Sequence, residues 1–355
     1  MSEHKRRELR QASSKQKFFF TSSLLLAVVG MWWFAINPLK RAPNAIHSWA
    51  LPAHTKLNLR ATSSLTRRLL NAQMIEHAGE RIIWFTSVNK DFADTYLATY
   101  LNSFHRTNSS LANHVVVVTL SKQARVSCLK IHHACPLFEN GVSGRVPNSL
   151  QHSTRTGQQP AWRNMVWTSV EIRLHIIQKG FSVIYSDADV IQVNDPWKLI
   201  YQVVNLREAV AVSTNAFTNR LVDANPGVQY LRGGNESLGY LNKWFRQRDR
   251  VGSSSGNQRA LTGLLAKEGW MARATKVLPC SLVASSCCLR DCCTLLWHRL
   301  ETINPDDLRK ELLNDKKLSW MLEASVFHAA CMGGTLEKKL LRLTKAHQAL
   351  TIPPR

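Results

Sequence analysis

The run Phe181-Ser182-Val183-Ile184-Tyr185-Ser186 is almost wholly apolar, and it stops on Asp187-Ala188-Asp189 before Val190 and Ile191. This pattern predicts a strand that ends in two acids. A strand sends residues i and i+2 to one face, so both carboxylates are expected to enter the same pocket. Two adjacent acids repel unless a cation lies between them. Mg²⁺ and Mn²⁺ are held by one or two carboxylates plus substrate phosphates. The carboxyl ends of the strands are also where an open α/β sheet forms its ligand crevice. The plainer alternative for a bare D-x-D is a solvated turn.

The flanking pattern supports the sheet. Arg81–Thr86 and His114–Thr119 read as two further buried strands, and Asp91–Arg106 and Lys122–Lys130 as helices. Ala161–Lys179 carries Trp162, Met165, Ser169, Ile172 and Ile176 at helical spacing, with Gly180 as its C-cap. Asp195-Pro196-Trp197 restarts a short helix, an acidic cap with Pro at the first position. Strands alternating with helices predict an α/β domain with a mainly parallel central sheet. Beyond it, Asn225-Pro226-Gly227 reads as a turn, Val228–Leu231 as a short strand, and Ser237–Arg246 and Gly256–Lys267 as helices. Asn304–Lys317 looks irregular, Val326–Ala330 ends a strand, and Leu336–Leu343 is a basic helix.

The amino-terminal part has another character. Phe18 to Ile36 carries no charge and is long enough to cross a bilayer. Lys5, Arg6, Arg7, Arg10, Lys15 and Lys17 precede it, which predicts a cytoplasmic amino terminus. A cleaved signal peptide would need a small-residue site, and none is evident after Ile36. The expected organisation is a cytoplasmic tail (1–17), a signal anchor (18–36), a Pro-containing stem (37–80) and a lumenal catalytic domain (81–350). The sequons at Asn108 and Asn235 and the eight cysteines agree with an oxidising lumen. The spacing of Cys287, Cys288, Cys292 and Cys293 suits disulfides better than zinc.

The formal charge of +22 favours anionic partners such as nucleotide diphosphates, acidic polysaccharides or lipid headgroups. No zinc finger, recognition-helix pattern or aromatic RNA-binding signature points to nucleic acid. In sugar transfer the leaving nucleoside diphosphate develops charge, which a Lewis-acid cation neutralises without moving a proton. His328 closes an apolar strand as the two acids do, and is a candidate third metal ligand beside Asp187 and Asp189. Gly333-Gly334 lets backbone amides approach an anion, and Lys338 at a helix start adds charge.

Five ordered elements resemble glycosyltransferase family 77, the nucleotide-diphospho-sugar transferases of plants and algae. They are Met165-Val166-Trp167; Gly180-Phe181 with Tyr185 to Val190 and Asp195-Pro196; Asn225 to Arg232 with Trp244; Asn257-Gln258; and His328-Ala329-Ala330-Cys331 with Gly334 and Lys338. Leu120, Ala124, Cys128, His133 and Cys135 fit its second strand and helix. The resemblance implies a GT-A-like fold and a single-pass type II Golgi membrane enzyme. It also implies a nucleotide sugar donor of the UDP type, Mn²⁺ (or Mg²⁺), and transfer of a pentose or hexose with retention. The implied acceptor is a glycoprotein or cell-wall polysaccharide. By the same resemblance Asp187 meets donor ribose and metal, Asp189 and His328 bind metal, and Lys338 and Gly334 meet the pyrophosphate. Asn225 and Gln258 face sugar or acceptor.

Four positions depart from that pattern: Gln192 where Trp is usual, Ser121 and Asn257 where Asp is usual, and Ala330 where Asn is usual. They keep open a catalytically silent, lumenal sugar- or nucleotide-binding protein. A D-x-D phosphatase would need a later acid pair after an apolar strand. Asp306-Asp307 follows a polar stretch instead.

Overall fold

The computed structural model describes residues 66–138, 160–215, 220–250, 256–285, 302–315, 319–329 and 336–351. The segment 18–36, the cysteines from 287 to 293, Ala330, Cys331, Gly333 and Gly334 lie outside them. Among the described residues no helix is long and apolar enough to cross a membrane.

The strands are β1 (Ile75–His77), β2 (Glu80–Val88), β3 (Val116–Thr119), β4 (Ser182–Ser186), β5 (Val190–Gln192), β6 (Val210–Thr214), β7 (Ala224–Leu231), β8 (Thr275–Val277), β9 (Val283–Ser285) and β10 (Val326–His328). The principal helices are α1 (Arg67–Gln73), α2 (Lys90–Thr95), α3 (Leu97–Thr107), α4 (Lys122–Leu129), α5 (Pro160–Gln178), α6 (Trp197–Val204), α7 (Asn235–Phe245), α8 (Asn257–Lys267), α9 (Pro305–Asn314) and α10 (Leu336–Thr351). A central sheet runs β1-β2-β4-β7-β6-β8, with β3 also on β2, and a small second sheet runs β5-β10-β9.

Strands β2, β3, β4, β6 and β8 point one way, in keeping with a mainly parallel sheet. β7 runs against them between β4 and β6. The sequence reading did not anticipate this reversal. The link from Thr214 to Ala224 is shorter than the roughly dozen residues a parallel crossover needs, so β7 must pair antiparallel. Asn225-Pro226-Gly227 therefore lies inside a strand rather than in a turn. Its pairing slips between Val212 and Ser213, an irregularity that lets Pro226 sit in a sheet interior.

Every residue of β3, β4, β6 and β7 is buried, and β3 and β4 read as near-continuous apolar runs for that reason. Helices cover both faces. On one, Trp84 and Tyr100 both hydrogen-bond the Ser186 hydroxyl, at 3.1 and 2.7 Å, fixing α3 to β2 and β4. On the other, α5 packs along β4 and against α7, with Trp167 facing Trp244. The fold begins before residue 81. α1 and β1 belong to it, since Leu70 and Ile75 are buried and β1 pairs with β2. Two helices replace the one expected over Asp91–Arg106, broken at Tyr96. A disulfide joins Cys128 to Cys135.

Candidate active site

β4 delivers the acids, but they stand in the turn between β4 and β5 rather than in a strand. Three backbone bonds hold that turn. The Asp187 N–H donates to the Gly227 carbonyl (2.7 Å), the Val190 N–H to the Asp187 carbonyl (3.2 Å), and the Ala329 N–H to the Asp189 carbonyl (3.1 Å). β5 then pairs antiparallel with β10, setting His328 opposite Val190. A residue about 140 positions away in the chain thus arrives beside the D-x-D through one short strand pair.

The result is a compact cluster. His328 Nε2 lies 3.6 Å from Asp187 Oδ2 and 3.6 Å from Asp189 Oδ1. One ligand atom from each of the three residues falls within 4.8 Å of the others. Asp189 and His328 are buried, whereas Asp187 keeps 39% of its side chain accessible and opens the cluster to solvent. Gly227 forms the wall. A Cβ there would meet His328 and Asp187 at less than 3 Å, so only the bare backbone leaves the space between them.

Two carboxylates and an imidazole suit a hard or borderline divalent ion, and the cradle left by Gly227 is consistent with one. The acids are not equivalent. The packed surroundings and then the Asp189 charge push the Asp187 carboxyl up, against His328 and the Tyr185 hydroxyl. Burial would raise the Asp189 carboxyl too, but the Lys339 ammonium and His328 outweigh it and hold it well below the usual range.

Lys339, on α10, donates to Asp189 Oδ2, and the Asp189 Oδ1 faces His328. The sequence reading had singled out its neighbour Lys338, which is exposed. The signal that separates them is helical phase: position 339 shares the inward side of α10 with the buried Leu343. Asn225 is buried. Its Oδ1 accepts from the Gly227 N–H (2.8 Å) and its Nδ2 donates to Asn215 (2.6 Å), so it reaches the cluster only by shaping the strand at Gly227. Gln258 lies part-exposed on α8. Asn257 beside it is buried, donating from Nδ2 to the Val166 carbonyl (3.0 Å). Ser121 caps α4 through its hydroxyl. Gln192 is buried in β5.

Two residues the sequence reading left unassigned touch this machinery. The Tyr185 hydroxyl donates to Asp187 Oδ1 at 2.5 Å. Arg173, fully buried on α5, lies with its guanidinium carbon 3.7 Å from the centre of the Tyr185 ring.

An uncharacterized protein of Arabidopsis thaliana is 22% identical to this chain over 178 residues, 47% of this chain and 51% of that protein. The chain thus spans about half the length of that curated relative. Among solved structures, mouse xyloside xylosyltransferase 1 aligns over 70% of this chain and 97% of its own, at 12% identity and a TM-score of 0.40. The galactosyltransferase LgtC aligns over 76% of this chain and 97% of its own, at 11% identity and a TM-score of 0.42. Residues 110–341, well over half of the chain and including Asp187, Asp189, His328 and Lys339, match the sequence profile of the nucleotide-diphospho-sugar transferases, and the chain belongs to that family.

Proposed function

We propose that this protein is a metal-dependent glycosyltransferase of the GT-A type, most akin to glycosyltransferase family 77. It moves a pentose or hexose from a UDP-type nucleotide sugar to a glycoprotein or cell-wall polysaccharide. The observation that carries this reading is the convergence of Asp187, Asp189 and His328 within 4.8 Å around the bare backbone of Gly227. Asp187, Asp189 and His328 would hold Mn²⁺ or Mg²⁺. The bound ion supplies Lewis-acid neutralisation of the diphosphate leaving group.

The chain's own residues do the rest. Asp187, on the open side, is placed to meet the donor, and Tyr185 fixes its carboxylate. The Asp189–Lys339 pair brings an ammonium to the edge of the cluster, where a diphosphate gains a second cation. The hydroxyls of Trp84-bound Ser186 and Tyr100 lock the strand end behind the acids, so the cluster is preorganised rather than assembled on binding. The segment 18–36 anchors the enzyme in the Golgi membrane with residues 66–351 in the lumen, in keeping with the Cys128–Cys135 disulfide. The accessible side chain of Asn235 in the second sequon fits the same compartment.

The decisive test is a thermal-shift and turnover screen of nucleotide sugars with and without Mn²⁺. The expected result is stabilisation by one donor only when Mn²⁺ is present, with slow release of its nucleoside diphosphate. Donor binding without turnover would instead support the silent-binder reading, and cleavage of simple phosphomonoesters the phosphatase one.

A further inference from the structure

We propose that Arg173 is a positioning residue: its buried guanidinium braces both strands that carry the site, so that Asp187 and Gly227 keep their places against His328. The side chain is completely buried in the carboxyl-terminal half of α5. Its guanidinium stacks on Tyr185, the ring whose hydroxyl holds Asp187, and lies 5.4 Å from the centre of the Trp244 ring. From Nη2 it donates to the Pro226 carbonyl (3.4 Å), one residue before the glycine that abuts His328, and to the Ser169 hydroxyl (3.5 Å). Its Nε and Nη1 have no partner among the described residues.

Helix packing does not need a charge here. Leucine or methionine would fill the space between α5, Tyr185 and Trp244 without the desolvation penalty of a cation, which stacking offsets only in part. What a guanidinium adds is a planar, permanently charged group that grips a ring on β4 and a carbonyl on β7 at once. Those contacts reach the cluster by two routes. One passes through the Tyr185 hydroxyl to Asp187, the other through Pro226-Gly227 to the wall beside His328. Arg173 itself touches none of the three candidate ligands by any hydrogen bond, so its part is to orient them.

The inference rests on the metal reading of the site only for its second readout. The first is the position of the Asp187 carboxylate in crystal structures of Arg173→Met and Tyr185→Phe. In both variants it is expected to turn away from His328. The second is Mn²⁺ affinity by spin-resonance titration, expected to fall about 10- to 100-fold, as removal of outer-shell partners of a metal ligand does. Arg173→Lys, which restores charge without the planar stack, should recover only part of that loss. Should Arg173→Met fail to fold, Arg173→Lys, which keeps the charge and loses the planar stack, carries the test. A displaced Asp187 in a protein that binds no Mn²⁺ would uphold the positioning role and sink the metal reading. An Asp187 that stays in place in the folded variants would overturn the proposal, whatever the Mn²⁺ affinity.

Discussion

A Cβ on Gly227 would overlap Cε1 of His328 and lie 2.7 Å from Oδ2 of Asp187. Neither neighbour has an easy way out: His328 is buried in β10, and Asp187 is held by Tyr185 and by its own N–H on the Gly227 carbonyl. Gly227→Ala is therefore expected to displace the imidazole. Overpacking of this kind lowers stability by about 1–3 kcal/mol. Mn²⁺ affinity should fall with it, because the three ligand atoms no longer converge. Urea unfolding and Mn²⁺ titration of the alanine variant check both, and wild-type values in each would show that the wall has room.

The pair Asp189–Lys339 separates two effects that a single substitution would confuse. Asp189→Ala removes a proposed ligand and frees Lys339, so Mn²⁺-dependent donor binding should vanish while the fold persists. Lys339→Met leaves a buried carboxylate without its cation. Breaking a fully buried pair costs about 3–5 kcal/mol, and the part-exposed Lys339 brings the expected loss nearer 2 kcal/mol. Mn²⁺ would then replace the missing charge, so its thermal stabilisation should be larger in Lys339→Met than in wild type. An equal or smaller shift would mean that Asp189 is not offered to the ion.

The sheet core was legible because β3, β4 and most of β2 are buried and carry mainly apolar residues; β2, β3 and β4 were each read within a few residues. β6 was missed since Val210-Ala211-Val212-Ser213-Thr214 is short and lacks a turn signal at its start. Helix α9 was missed although Asn304 caps it, Pro305 opens it and Asp306 and Asp307 fill its first turn, all ordinary start signals outweighed by a polar composition. The Asp–Asp–His set was legible from strand ends alone. Asn225 and Lys339 were not, because their parts depend on how β7 is bent and on which side of α10 faces inward. Arg173 had no sequence signal as a site residue, for a charge within an apolar helix looks like a surface position until the packing of Tyr185 is known.

Asn257 stands where the resembled family carries an acid, and its surroundings explain why an amide suits this chain. Its Nδ2 donates to the Val166 carbonyl, while its backbone carbonyl accepts from Trp244 Nε1 at 2.8 Å. A carboxylate cannot donate to Val166 and would face a carbonyl in a buried site. Asn257→Asp is expected to lower stability by about 1–3 kcal/mol without raising turnover. A variant that gains activity would instead locate a missing catalytic acid at this position.

Removal of residues 1–40 should leave a soluble protein that secretes from a cell when given a cleavable signal peptide, because the apolar run 18–36 goes with them. The described residues start at Thr66, the cap of α1, so no described contact is lost. Fractionation of cells expressing the two forms tells them apart. A truncated protein that stays in membranes would show that the anchor lies elsewhere.

His347, on the inner side of α10, gives the fold an acid limit. It is buried beside a cleft of about 490 Å³ lined also by Thr99, Asn102, His105, Arg106 and Thr344. Burial first, and the Arg106 charge second, push its imidazole down to about 4 from 6.5. The folded protein therefore keeps His347 neutral at pH values where the unfolded chain has already bound a proton. Its contribution to stability is complete above about pH 6.5 and is lost progressively as pH falls toward 4, on the order of 3 kcal/mol in all. Urea unfolding of wild type and His347→Gln across this range checks the sign and the size. The wild type should lose stability more steeply on acidification than the glutamine variant, and parallel curves would assign the acid sensitivity to other groups.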